Sequence, residues 1–171
     1  MKGVIVHDWH GTTLEEPLCW ELNLREEEGV YSVQMPFAPR NSSVDSRGEF
    51  VEGLWEQDVV ELFLAGDSGR YVEFNVSSQG AWWFMPFSDY RVRAEARCKR
   101  PRVSVSVETA RREWRVELVF GLEEIVAYLG RVTAWQVAAI HYGPKSVTYI
   151  SSRNAKGGDP DFHNFSSFTT R

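Results

Sequence analysis

Trp55, Glu61, Tyr71, Glu73, Asn75, Trp83, Arg91, Asn154 and His163 are the residues whose types and placement could hold a ligand. A flat ring stacks on an apolar molecular face, while carboxylates, amides and imidazoles exchange hydrogen bonds with polar edges. The three carboxylates Asp58, Glu61 and Glu73 also raise general acid–base chemistry, which needs two of them to converge. Strand parity sends Asp58 to the face opposite Glu61. The histidines stand at 7, 10, 141 and 163 and no serine or cysteine motif accompanies them, so no nucleophile–base pair is legible. Holding a ligand is therefore the expectation, and catalysis is not. A competing reading makes Trp55 a core or rim ring and pairs Glu61 with an arginine such as Arg91.

The elements that must position these residues run from Trp55 to Phe87. Gln57–Leu64 and Arg70–Val76 alternate, and Ala81–Phe87 is aromatic. Ala65–Gly69 and Ser77–Gly80 have the Gly, Ser and Asp composition of tight turns. The pattern predicts a three-stranded antiparallel meander. Asp58, Val60, Leu62 and Leu64 share one face with Val72, Phe74 and Val76 alongside; Glu61, Tyr71, Glu73 and Asn75 share the other, which is expected to be polar and wet. Upstream, Leu18–Leu24 and Val30–Phe37 alternate as half-buried strands, and Val4–Trp20 is mixed and expected to wrap an edge. Arg40–Gly53 reads as a polar loop that carries Trp55 to the rim of the sheet. Downstream, alternation predicts strands over Tyr90–Arg97, Val103–Val107, Trp114–Leu118, Val132–His141 and Val147–Ser151. Gly121–Leu129 is the one helical segment, with Leu122, Ile125, Val126 and Leu129 at helical spacing and Gly130 as its cap. About ten short strands and one short helix predict an all-β, two-sheet antiparallel sandwich, jelly-roll-like, as a single domain over residues 1–171.

The run Trp55…Asp58-Val-Val-Glu61-Leu-Phe63, then Tyr71-Val-Glu73-Phe74-Asn75, then Gly80-Ala-Trp82, resembles family 9 carbohydrate-binding modules and the wider DOMON-like superfamily. Pro160–Phe168 resembles their closing segment. The resemblance implies a β-sandwich that binds a small saccharide on a concave sheet, or haem in some branches. In the sugar-binding modules a Trp six positions before the strand Glu touches ligand with it; Trp55 and Glu61 have that spacing. Those modules close a clamp with a second Trp near the C-terminus and an Asn nearby. Asn154 stands for the Asn, but no Trp follows Trp135, so Tyr149, Phe162 or His163 must supply the second ring. An interaction domain that has lost sugar binding is the alternative the same resemblance allows.

Bulk properties narrow the partners. A net charge of −5 argues against a nucleic-acid backbone, and the locally basic 99–115 segment alternates its charges onto a solvated face. No run approaches a membrane span, and no secretion signal is visible after Met1, so the expected location is cytoplasmic, or extracytoplasmic for a processed form. Cys19 and Cys98 form no metal motif and read as buried free thiols. No cofactor is expected. Haem would have to use Met35, Met85, His141 or His163, without a CxxCH, and calcium would have to use Asp58 with loop carbonyls. The oligomeric state is left open.

Overall fold

Alternating side chains fix which residues of each strand face inward, and the chain resolves them into two stacked antiparallel sheets. The computed structural model describes residues 1–39, 46–152 and 158–170. Among these the strands are β1 (Lys2–His7), β2 (Thr13–Leu24), β3 (Glu28–Met35), β4 (Val59–Ala65), β5 (Tyr71–Ser77), β6 (Trp82–Asp89), β7 (Val92–Arg93), β8 (Val103–Thr109), β9 (Trp114–Gly121), β10 (Ala134–Tyr142), β11 (Val147–Ser151) and β12 (Thr169–Thr170). The first sheet runs β1-β2-β3-β9-β8 and the second β11-β10-β4-β5-β6-β7, with β12 paired to the start of β10. The expected meander is β4-β5-β6, with Leu62 opposite Phe74 and Glu61 opposite Asn75.

The core between the sheets forms from Leu18, Leu22, Tyr31, Val116 and Phe120 on one side and Val60, Leu62, Val72, Phe74 and Val137 on the other. Phe74 lies 4.9 Å from the Phe84 ring and 4.7 Å from Phe120, which comes from the opposite sheet. Phe120 in turn lies over Gly29, its cross-strand partner on β3, where a Cβ would stand 2.2 Å from the ring. Glycine there is a packing requirement: any side chain would drive the ring out of the core.

The outer face of the second sheet departs from expectation. It is not wet. Every residue of β4 and β5 is buried, including Glu61 at 3% and Glu73 at 4% exposure. A second apolar cluster with Val59, Phe63, Tyr71, Phe87, Phe162 and Phe168 covers it, because the segment after β11 folds back across the sheet. The expected edge wrap over Val4–Trp20 is also replaced: β1 pairs antiparallel with β2, with a register shift between Ile5 and His7, as the outermost strand of the first sheet. Its alternation is weak because an edge strand needs little apolar surface; Val4 and Val6 remain exposed. Tyr90–Arg97 is not one strand. Arg91 has φ 56, which breaks the extended run and leaves only Val92–Arg93 paired, before a turn of 3₁₀ helix at Glu95–Arg97. Of the two cysteines, only Cys98 is buried; Cys19 is half-buried, and both are free.

The helix α1 (Glu123–Leu129) forms where expected and ends at Gly130, φ 81, whose N–H bonds the Val126 carbonyl. It packs against the β4–β5 turn so closely that a Cβ on Gly66 would stand 2.3 Å from the Leu129 carbonyl oxygen. Removing the Phe74 ring should cost about 3–5 kcal/mol, the range for a large aromatic lost from a packed core. Urea unfolding of Phe74→Ala checks this, and a loss below about 1 kcal/mol would contradict the inter-sheet placement.

Candidate ligand site on the outer face of the second sheet

Cross-strand register decides which side chains can meet. Ala138, Glu61, Asn75 and Trp83 form one row across β10, β4, β5 and β6 on the outer face. Glu73 lies in the next row, diagonal to Glu61. Above these rows opens a cavity of about 450 Å³, within the usual size range of small-molecule sites. Trp55, Glu61, Glu73, Trp83, Arg91 and His163 line it. The sequence reading thus brought six of its residues to one cavity. Tyr71 and Asn75 support it from behind, and Asn154 lies outside the described residues.

Trp55 reaches the rim through a 3₁₀ turn, Leu54–Glu56, entered at Gly53 with φ 83. Its ring is half-buried and meets Trp83 edge to face at 5.2 Å. The Tyr142 hydroxyl donates to the Trp55 carbonyl at 2.8 Å and fixes the turn. Arg93 lies over both indoles, at 5.9 and 5.5 Å from their centroids.

The opposite wall comes from the returning segment. Trp9 donates its indole N–H to the Gly158 carbonyl at 3.1 Å and meets Phe162 edge to face. Asp161 accepts from Arg91 and from Tyr90, each at 3.0 Å. Farther along, Gln136 donates to Ser151 at 3.2 Å and accepts from Ser167, all three buried, which seats the segment on the sheet.

A chain of hydrogen bonds sets the protonation of the floor. The Arg91 backbone N–H donates to the Tyr71 oxygen at 3.0 Å, and that hydroxyl lies 2.7 Å from His163 Nδ1. Burial chiefly holds the Tyr71 phenol well above its ordinary pKa, so it keeps its proton and donates it. His163 Nδ1 is then the acceptor, and Nε2 carries the hydrogen. Nε2 points toward Glu73 Oε2 at 3.7 Å. Burial, then the Arg91 charge, lowers His163 to about 4. Burial lifts Glu73 to about 7 against the Asn75 hydrogen bond and the Arg91 and Arg93 charges. The His163–Glu73 approach is therefore a contact that leans neutral on both sides rather than a strong ion pair. Burial, then Glu73, raises Glu61 well above the carboxylate range. Glu61 does not pair with Arg91, whose guanidinium goes to Asp161.

Asp58 lies on the other face, as parity requires. It accepts from the Tyr142 N–H at 2.7 Å and sits 3.3 Å from His141 Nδ1. His141 stacks on Phe37 at 4.3 Å. Met35 is fully buried between the sheets, while Met85 is buried on the outer face. Among the described residues no group of three or more His, Cys, Asp or Glu side chains is gathered as a metal site requires.

The same fold occurs in solved structures. A Bacteroides uniformis protein proposed to bind carbohydrate superposes with a TM-score of 0.68 at 14% identity, over 99% of this chain and 84% of that one. A family 9 carbohydrate-binding module from Caldicellulosiruptor kristjanssonii, solved with cellotriose, gives 0.56 at 11%, over 87% of this chain and 71% of that one. A family 9 module from the same organism, solved with glucose, gives 0.56 at 11%, over 86% of this chain and 73% of that one. The fold is that of the family 9 modules. No family model and no curated protein matches the sequence.

Sequence reasoning missed Phe87, Arg93, Ile140, Tyr142 and Pro160 on the cavity wall. Alternation from Ala134 would have placed Ile140 and Tyr142 on the outer face of β10; nothing local signals Arg93 or Pro160, which depend on the bend at Arg91 and on the returning segment.

Glu73 sets a pH dependence. Its folded pKa, about 7, exceeds the ordinary 4.5, so its stabilisation is present below the ordinary value and lost as pH rises through about 7. Glu61 acts in the same direction. His163, lowered from 6.5 to about 4, acts oppositely and offsets part of the slope below about 6.5. The melting temperature should therefore fall between about pH 6.5 and 8, and Glu73→Gln should flatten that fall. Thermal unfolding across this range measures it; a wild-type protein more stable at the alkaline end would refute the protonated, buried carboxyls.

Proposed function

We propose that this chain is a non-catalytic module that holds a small saccharide in the cavity on the outer face of its second sheet. One observation carries the reading: the half-buried Trp55 ring and the buried Glu61 carboxyl line one cavity, at the six-residue spacing of the modules the sequence resembles. A pyranose needs both devices, a ring for its C–H face and polar groups for its hydroxyls. A protonated Glu61 suits a hydroxyl well, since it donates and accepts.

Further support comes from the second ring. Tyr149, Phe162 and His163, the residues left to replace the absent C-terminal Trp, all line the cavity. Proteins of the same fold have been solved with cellotriose and with glucose. The absence of catalysis is part of the proposal: the described residues lining the cavity include no Ser, Thr, Cys or Lys to act as a nucleophile.

Stacking contributes about 1 kcal/mol beyond area burial, and each hydrogen bond from or to the uncharged Glu61 carboxyl about 0.5–1.5 kcal/mol. Lost translational and rotational freedom offsets much of this, so affinity should be nearer millimolar than nanomolar. Titration calorimetry with glucose and cellotriose should show saturable binding that Trp55→Ala and Glu61→Ala each weaken while leaving the fold intact by circular dichroism. No binding at several millimolar, or binding that survives both substitutions, would remove the sugar reading and leave an interaction module in its place.

A further inference from the structure

Polar groups on the floor of the cavity lack partners from the protein. Glu61 is 3% exposed and lines the cavity, yet its carboxyl has no hydrogen-bond or ion-pair partner among the described residues. Glu73 receives one bond at Oε1, from Asn75 at 3.0 Å; its Oε2 has only the His163 N–H, at 3.7 Å and beyond hydrogen-bond reach. Asn75 Oδ1, fully buried beside them, has no partner among the described residues. A buried acceptor without a donor costs about 1–3 kcal/mol; that penalty falls on Asn75 Oδ1, while the carboxyls of Glu61 and Glu73 line the cavity and can take donors from a ligand.

The two arginines nearby are committed elsewhere. Arg91 holds Asp161 at 3.0 Å, and Arg93 holds Glu52 at 2.7 Å while lying over the indoles of Trp55 and Trp83. The walls carry the aromatic residues Trp55, Trp83, Tyr142, Tyr149 and Phe162, and aromatic rings attract cations. Glu61 and Glu73 are diagonal neighbours on adjacent strands, a relation that sets Cα atoms about 7–8 Å apart. One ammonium can bridge that span with a charge-assisted bond of about 2.8 Å to each side, and it brings three donors and no acceptor.

We propose that the saccharide held here is an amino sugar with a free, protonated amine, and that its ammonium group sits between Glu61 and Glu73. The inference rests on the saccharide reading above and narrows its ligand class. It carries a proton linkage. Both carboxyls are held protonated by burial, so an arriving ammonium displaces a proton to solvent. The other groups facing them do not titrate in the same range. Arg91 stays charged. His163 is neutral down to about 4. The phenols of Tyr31, Tyr71 and Tyr142 are all raised, chiefly by burial.

Titration calorimetry on the intact chain with D-glucose, D-glucosamine and N-acetyl-D-glucosamine decides it. Near pH 7, glucosamine should bind at least about tenfold more tightly than glucose, the ratio a charge-assisted bond at the low end of its range delivers. Near pH 5, where both carboxyls hold their protons, the preference should vanish. Near pH 7 the enthalpy should vary with the buffer's ionisation enthalpy, showing proton release, and Glu73→Gln should erase the preference of glucosamine over glucose. Glucose or N-acetylglucosamine binding as tightly as glucosamine near pH 7 would overturn the amine inference and leave the saccharide reading standing. No binding of any of the three would overturn both. Should Glu73→Gln fail to fold, the wild-type pH comparison and proton release decide alone.

Discussion

Ser167 donates to Gln136 on the outer face of β10, and Gln136 donates to Ser151 on the neighbouring strand. These buried bonds seat the segment that returns after β11 onto a sheet face that would otherwise be open to water. The consequences spread from there. Phe162 and Phe168 bury the aromatic side chains of β4 and β5, and His163 comes within hydrogen-bond reach of Tyr71 and to 3.7 Å from Glu73. The cavity exists because the covering segment bridges the polar rows of the sheet instead of filling them. Buried polar bonds of this kind contribute little net energy, but leaving one unmade is costly, so they fix position more than stability.

Electrostatics inside the cavity follow from that cover. Burial removes water from Glu61 and Glu73, and each responds by holding its proton. The cations that would restore their charge are turned outward: Arg91 to Asp161 and Arg93 to Glu52. Exposed pairs of this sort are worth about 0–1 kcal/mol. Their importance is geometric. The Arg91–Asp161 pair ties the β6–β7 bend to the covering segment, and the left-handed backbone at Arg91 aims its N–H at Tyr71. Strain at a non-glycine residue is here part of how the site is assembled.

Much of this was legible in the sequence. Period-two alternation over Gln57–Val76 placed Leu62 and Phe74 inward and Glu61, Glu73 and Asn75 outward, since a one-residue slip would have exchanged the faces. Gly130 marked the helix end, and the spacing of Trp55 and Glu61 marked the cavity. What stayed illegible was non-local. Polarity of one strand face suggests exposure, whereas a distant segment covers it; alternation reports a difference between faces and not their solvation. The bend at Arg91 carried no glycine or proline to announce it. Tyr142 gave no sign of its role because its partner is a backbone carbonyl at Trp55.

The cover over the second sheet is also the part of that sheet made last. A ribosome releases β4, β5 and β6 well before residues 158–168, and chains tend to fold as they emerge. Until the covering segment arrives, Phe63, Tyr71 and Phe87 form an apolar surface on a nascent sandwich whose other face is already able to pack. A surface of that kind is where chaperones and neighbouring nascent chains bind. The segment that completes the cavity is thus also the step that makes the newborn domain safe in a crowded cell.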